Sequence, residues 1–389
     1  MAKKAYIGVD GKARKTKKGY IGVDGKARKI KKAYIGIGGV ARPCFGGGGK
    51  PTYYGAITSL SEARTGHDAA SVGEYALFGG GVIKFNSTWT SNVDAYNTSL
   101  TRTAAPEMNG SKSGYRAASN GSYVVFAGAS VSGGSKEVEA YSATLTKTTP
   151  TTMSYARQSH GSASVGGYAL FAGGQAKSST RYAHADVYDA NLTKSVHTLL
   201  SSARTTPIGC SNGTYAAFGG VNTTGYSPIG DSTTVDFIDE NLTRVAIGNM
   251  HSAVSQPASA SAGELIIFAG GFGTDWNSTS IVSAFDGNLT AMPITYLAEP
   301  KDSMGSVGLG DYAIFAGGED YDDYAMSGEV KSSVDLFDAN LVRTAGTPIS
   351  KARHRIVAAA VGDYAIFAGG TVDSYNYGGV TDADAYVLL

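Results

Sequence analysis

The run Tyr75-Ala76-Leu77-Phe78-Gly79-Gly80 recurs at Tyr123 to Gly128, Tyr168 to Gly174, Tyr215 to Gly220, Leu265 to Gly271, Tyr312 to Gly318 and Tyr364 to Gly370, seven copies in all. A period of about 48 residues marks one supersecondary unit that cannot bury its apolar face alone, so the units must stack on one another. A chain of 389 residues would otherwise suggest two or three domains. Internal repetition overrides that length prior.

Each unit carries four strand signals. A small-residue strand such as Ala69-Ala70-Ser71-Val72 or Ala358-Ala359-Ala360-Val361 precedes the Gly-Gly strand. After it comes a strand with an acidic or small residue before an aromatic: Val93-Asp94-Ala95-Tyr96, Val138-Glu139-Ala140-Tyr141, Ala185-Asp186-Val187-Tyr188, Val235-Asp236-Phe237, Val282-Ser283-Ala284-Phe285, Val334-Asp335-Leu336-Phe337 and Asp384-Ala385-Tyr386. A tight turn of the type Asp189-Ala190-Asn191 then leads to a fourth strand beginning Leu192-Thr193-Lys194, Leu242-Thr243-Arg244, Leu289-Thr290 or Leu341-Val342-Arg343. Seven four-stranded units predict an all-β chain folded as a seven-bladed β-propeller. The last unit stops at Leu389 without a fourth strand, while Tyr53 to Leu60 form a spare strand ahead of the first unit. Pairing the two closes the ring and removes two open sheet edges.

The doubled glycine after an apolar strand, followed by an aromatic on the next strand, resembles kelch repeats over residues 52–389. Kelch blades usually carry a Trp a few residues beyond that aromatic. Here Leu100, Leu145, Leu192, Leu242, Leu289 and Leu341 stand in that place, so no family-level function is carried over.

A second repeat precedes the first. Tyr6-Ile7-Gly8-Val9-Asp10-Gly11-Lys12-Ala13-Arg14-Lys15 returns at Tyr20 to Lys29 and, diverged, at Tyr34 to Pro43. Asp-Gly or Gly-Gly between short alternating segments is a hairpin signal, because both central residues of a type I′ turn need positive φ. The expected division is a basic hairpin-repeat anchor over 1–45, a Gly-rich hinge over 46–51 and the propeller over 52–389. Residues 1–50 hold 14 Lys/Arg and 2 Asp, and residues 51–389 hold 19 Lys/Arg and 30 Asp/Glu, so a formal charge of +1 conceals +12 set against −11. The repeats, with Tyr6, Tyr20 and Tyr34 at their starts, resemble short basic repeats at the beginnings of structural proteins of phages infecting Gram-positive bacteria. That resemblance implies attachment to a virion, either its tail or another exposed surface of the particle, after synthesis in the bacterial cytoplasm. Nucleic-acid binding is the competing reading of so basic a segment, disfavoured by its regular hairpin chemistry.

Connections between second and third strands are long and differ in every unit, whereas first-to-second and third-to-fourth connections are short. Because strands alternate in direction, the long ones share a face, and divergent loops on a rigid scaffold are where binding resides. Those loops hold Phe85, Trp89, Tyr182, Tyr226, Trp276, Tyr321, Tyr324, Tyr375 and Tyr377 among Ser, Asn, Asp and Gly, a mixture suited to a sugar or protein surface. A basic residue also recurs 11 positions before the strand aromatic, at Arg64, Lys112, Arg157, Arg204, Lys301 and Arg353, with Val254 in the fifth unit. Two readings stand: a cationic ring at the axial mouth that attracts an anionic ligand, or residues that cap carbonyls at a strand start, which a structural repeat favours.

Catalysis is not expected. Cys44 and Cys210 make no framework or zinc site, and His67, His160, His184, His197, His251 and His354 lie without metal-ligand spacing. The Ser-x-Asp-x-Gly-x-x-Trp boxes of sialidase-like propellers are missing, as is a Gly-rich phosphate loop. The run Glu319-Asp320-Tyr321-Asp322-Asp323 has the composition of a Ca²⁺ site but reads better as a solvated charge cluster. No metal or cofactor is expected, and neither a bilayer-spanning stretch nor a signal peptide is legible. The expected role is a tail-associated virion protein whose propeller binds a host-surface glycan or protein, with other virion proteins held by residues 1–45. Homo-oligomerisation in the particle, no nucleic acid and no membrane insertion complete the expectation. A decoration or cementing protein is the alternative, and a polysaccharide-acting enzyme a more distant one.

Overall fold

The computed structural model describes residues 49–389 apart from 85–87, 130–133, 177–179, 221–231 and 374–377, and the backbone pairing of six strands between residues 6 and 46. The described residues contain no helix. Seven four-stranded antiparallel sheets account for residues 52–387. Blade one is built from Asp68–Val72, Tyr75–Gly79, Val93–Asn97 and Arg102–Ala105, running from the inside outward. The innermost strands of the other six blades are Arg116–Ser119, Gly161–Val165, Ile208–Ser211, Ala258–Ala262, Gly305–Leu309 and Val357–Val361. Each touches the next, and the last returns to Asp68–Val72, so the ring is closed into a seven-bladed propeller. In the seam between blades seven and one, Ser71 Oγ donates to Ala360 O at 2.5 Å.

The seventh blade is completed from the other end of the propeller segment. Thr52–Ala56 pairs antiparallel with Ala383–Val387, and Gly49 N donates to Leu389 O at 2.9 Å. The spare strand expected over Tyr53 to Leu60 is therefore present, shorter by four residues at its C-terminal end.

The core is divided among the blade interfaces. Seven clusters of buried residues occur among the described residues, one between each pair of adjacent blades. The second strand explains why. In blade one, Leu77 packs toward blade two and Phe78 toward blade seven, because successive side chains leave opposite faces of a strand. A strand buried on both faces must be apolar throughout, and Tyr75–Gly79 is buried from Ala76 onward.

The glycine that follows each second strand fastens blade to blade. Gly128 has φ +70° and a Cβ there would lie 2.3 Å from His160 Cε1 of the next blade, while Gly369, at φ +65°, meets His67 in the same way at 2.5 Å. Where a second glycine follows, it donates its amide across the seam, as Gly174 N does to Arg204 O at 2.9 Å and Gly370 N to Arg64 O at 3.0 Å.

One local expectation is corrected. Leu192, Leu242, Leu289 and Leu341 do not open the fourth strand; like Leu100 and Leu145, each sits in the turn, with φ between 58° and 63°. The strand begins later, at Lys194, Arg244 and Arg343. Asp189 accounts for this, because its Oδ1 accepts the amides of Asn191 and Thr193 at 2.9 and 2.8 Å and so extends the turn by one residue. A left-handed leucine costs about 1–2 kcal/mol; burial of Leu100 and Leu341 offsets it.

The N-terminal strands form three separate two-stranded hairpins, Tyr6–Val9 with Lys12–Lys15, Tyr20–Val23 with Lys26–Lys29, and Lys32–Ile37 with Val40–Gly46. Tyr6 pairs with Lys15, Tyr20 with Lys29 and Tyr34 with Pro43. The last hairpin reaches one residue into the expected hinge.

Candidate functional site

Arg64, Arg157, Arg204, Lys301 and Arg353 are all fully buried. Each forms an ion pair with the acidic residue on the third strand of its own blade: Arg64 with Asp94, Arg157 with Asp186 at 2.5 Å, Arg204 with Asp236, Lys301 with Asp335 at 2.8 Å and Arg353 with Asp384 at 2.6 Å. The guanidinium groups also donate to strand carbonyls, Arg157 Nη2 to Phe171 O at 2.9 Å and Arg353 Nη2 to Phe367 O at 3.0 Å. Lys112 is partly exposed and pairs with Glu137. The basic residues therefore do not form a solvent-lined ring at the axial mouth; they occupy blade interiors, bonding carbonyls and an acid that the repeat supplies in register.

The acid is the hub of this arrangement. Asp186 accepts the amide and hydroxyl of Ser154 at 3.0 and 2.8 Å, so the chain entering the blade is bound to the third strand. The same pattern joins Ser61 to Asp94 and Ser350 to Asp384. Buried tyrosines add a second latch, with Tyr96 Oη donating to Thr58 O at 2.8 Å and Tyr188 Oη to Thr151 O at 2.9 Å.

Strand alternation puts the long connections of all blades on one face. Of the aromatics expected there, Phe85, Tyr226, Tyr375 and Tyr377 lie outside the described residues. Trp89 is 41 % exposed on a short ribbon, Val82–Lys84 with Thr88–Trp89, and Tyr324 is 99 % exposed at the tip of another, Glu319–Asp322 with Ser327–Val330. Tyr182 is half-buried and stacks on Tyr155 with ring centroids 4.8 Å apart, and His184 stacks on the same ring at 6.0 Å. Tyr155, 42 % exposed, was not singled out from the sequence because it lies in a fourth-to-first connection. Trp276 occupies a left-handed turn position, φ 66°, between Gly273 and Asn277. Tyr321 meets Phe272 edge-on at 6.2 Å, and Asp323 N donates to Asn277 Oδ1 at 2.9 Å, which joins the loops of blades five and six. Among the described residues these aromatics are distributed around the rim; the Trp276 and Tyr321 loops are brought together, and Gly379 N donates to Ile83 O at 3.1 Å, joining the loop of blade seven to the ribbon that carries Trp89.

The acidic run does not converge on a point. Glu319 turns inward, 3.0 Å from His354 Nδ1, while Asp322 Oδ1 accepts Ala325 N at 3.1 Å in the exposed hairpin. His67 and His160 are buried in the seams, and burial, then the neighbouring arginines, hold both imidazoles well below their ordinary value. Cys210 is buried and free, its thiol pushed up to about 12 by burial.

At the centre of the divergent face the innermost strands enclose a cavity of about 310 Å³ to which all seven blades contribute. Six of the seven residues four positions after the repeated basic site or its Val254 replacement line it: Asp68, Arg116, Gly161, Ile208, Ala258 and Val357. Only the first two are charged. Asp68 accepts Ala69 N at 2.8 Å and Ala117 N at 3.0 Å, and burial raises its carboxyl against the opposing pull of Arg116. Arg116 Nε donates to His160 O at 2.9 Å. A break in the repeat, visible as Asp and Arg among Gly, Ala, Ile and Val, was the signal in the sequence for this site.

No family model matches the chain, and no curated protein matches it in sequence. Solved structures do resemble it. The structure of YjhT superposes with a TM-score of 0.54 at 11 % identity, covering 86 % of this chain and 99 % of that one. At that identity the likeness concerns the fold alone.

Proposed function

We propose that this chain is a virion protein, tail-associated or otherwise exposed on a phage particle, whose propeller recognises a host-surface glycan or protein while residues 1–45 attach it to neighbouring virion proteins. The propeller repeats are read as kelch-like, and the protein as a binding module rather than an enzyme. The observation that carries the reading is the contrast between the two faces. One consists of short turns repeated from blade to blade; the other presents Trp89, Tyr155, Tyr182 and Tyr324 around a ring fixed by buried ion pairs. Exposed rings beside polar groups supply contact area at little entropic cost. The N-terminal charge of +12 suits an acidic docking surface, with a salt-dependent association rate. The virion placement rests on the N-terminal repeats.

The test is binding of the fluorescently labelled full chain to a panel of Gram-positive cells and to their isolated wall glycans. Saturable binding that falls at least tenfold in a Trp89→Ala, Tyr155→Ala, Tyr324→Ala variant of unchanged melting temperature is expected. Absence of binding across the panel would sink the receptor reading and leave the decoration role.

A further inference from the structure

We propose that the mouth of the axial channel binds one polyhydroxylated monoanion, a sugar or polyol carrying a single carboxylate, with the carboxylate on Arg116 and ligand hydroxyls on Asp68. The proposal rests on the axial cavity and not on the rim, so it stands or falls apart from the virion reading.

Four observations support it. The cavity is ringed by residues of all seven blades and open at its mouth, and about 310 Å³ is the lower end of the volumes that hold small ligands. Arg116 uses only Nε within the fold, on His160 O, and among the described residues its two terminal nitrogens have no hydrogen-bond partner. Planar guanidinium ends are suited to bidentate recognition of carboxylate or phosphate. Asp68 makes no direct ion pair with those nitrogens, and its two oxygens, each accepting one amide from Ala69 or Ala117, keep lone pairs for ligand hydroxyls.

Charge sets the ligand class. Asp68 and Arg116 are the charged residues of the wall at this level, and they cancel. A dianion would meet repulsion from Asp68 without a second cation, whereas a monoanion with hydroxyl donors satisfies both groups. Deeper in the channel the wall is small, with Ala69, Ala117, Ser162, Gly209, Ser259, Ser306 and Ala358 lining it, while the larger lining side chains His67, Ile208, Met304, Ile356 and Val357 carry no charge. That leaves open space beside Arg116 instead of filling it with side chains.

The experiment is calorimetric titration of the full chain at neutral pH with glucuronate, with glucose as the neutral counterpart and glycerol 1-phosphate, largely dianionic there, as the wrong charge state. Glucuronate is expected to bind at one site per chain while glucose and glycerol 1-phosphate do not. Arg116→Gln is expected to weaken binding at least tenfold. Because that change also removes the bond to His160 O, Val357→Glu serves as a second variant: it keeps Arg116 and adds a like charge across the cavity, and it is expected to abolish binding. Trp89→Ala and Tyr324→Ala are expected to leave it unchanged. No binding of glucuronate, equal or tighter binding of glycerol 1-phosphate, or equal affinity in wild type, Arg116→Gln and Val357→Glu, overturns the proposal.

Discussion

Val254 and Ser283 stand in the fifth blade where Arg157 and Asp186 stand in the third, and His251 N donates to Ser283 Oγ at 2.9 Å just as Ser154 N donates to Asp186 at 3.0 Å. Cation and acid are lost together while the amide latch is kept. A buried charge left without its partner is costly, whereas joint replacement by uncharged residues can be near neutral.

Asp186→Ser alone should therefore destabilise the propeller by about 3–5 kcal/mol, since Arg157 stays buried. Arg157→Val with Asp186→Ser should cost less than either single change. Denaturant unfolding of the three variants measures this, and additive losses would contradict the coupling.

Gly128→Ala should destabilise strongly, as both its φ of +70° and the approach of His160 Cε1 at 2.3 Å oppose a side chain. Gly55→Ala, with φ +133° but nothing within 4 Å of its Cβ, meets backbone strain alone and should cost less. Melting temperatures of the pair separate the two causes.

Removing residues 1–48 should leave the melting temperature of the propeller unchanged, because the closing strand begins at Thr52. Removing residues 1–57 exposes the edge of Ala383–Val387 and should lower the melting temperature and promote self-association. Calorimetry with light scattering reads both effects.

Stability should fall on acidification below pH 6.5. His67 and His160 are held neutral in the fold by burial, well below the ordinary imidazole value of 6.5. Between their folded values and 6.5 the unfolded chain binds more protons, so stability rises with pH in that window and is fully present above it. Each histidine contributes a slope of at most about 1.4 kcal/mol per pH unit there. Melting temperatures between pH 4.5 and 8 should show the decline, and His67→Asn with His160→Asn should flatten it.

Much of the architecture was legible in the sequence. The seven-fold recurrence of Tyr-Ala-Leu-Phe-Gly-Gly and of Val-Asp-Ala-Tyr identified blade, blade count and closing strand, because each repeat encodes the same local solution. The turns were less legible: Leu192 in a left-handed conformation runs against the preference for Asn or Gly, and only the cluster it packs against, with Asp189 capping the turn, makes it tolerable.

The role of the basic residues needed the fold. A six-fold recurrence of Arg or Lys fits a ring of free cations as well as a set of interior pairs, and the sequence alone does not say which strand lies across from Arg157. Pairing of Asp186 with that arginine depends on a strand 29 residues away in the chain. The axial site is the opposite case. Asp68 and Arg116 break the repeat in plain view, but their convergence exists only once seven strands from across the chain meet on one axis. Sequence determined the repeating unit, because hydrophobic periodicity and turn chemistry act locally. Tertiary closure decided which polar groups are buried together and which face a cavity, because that depends on contacts between residues far apart in the chain.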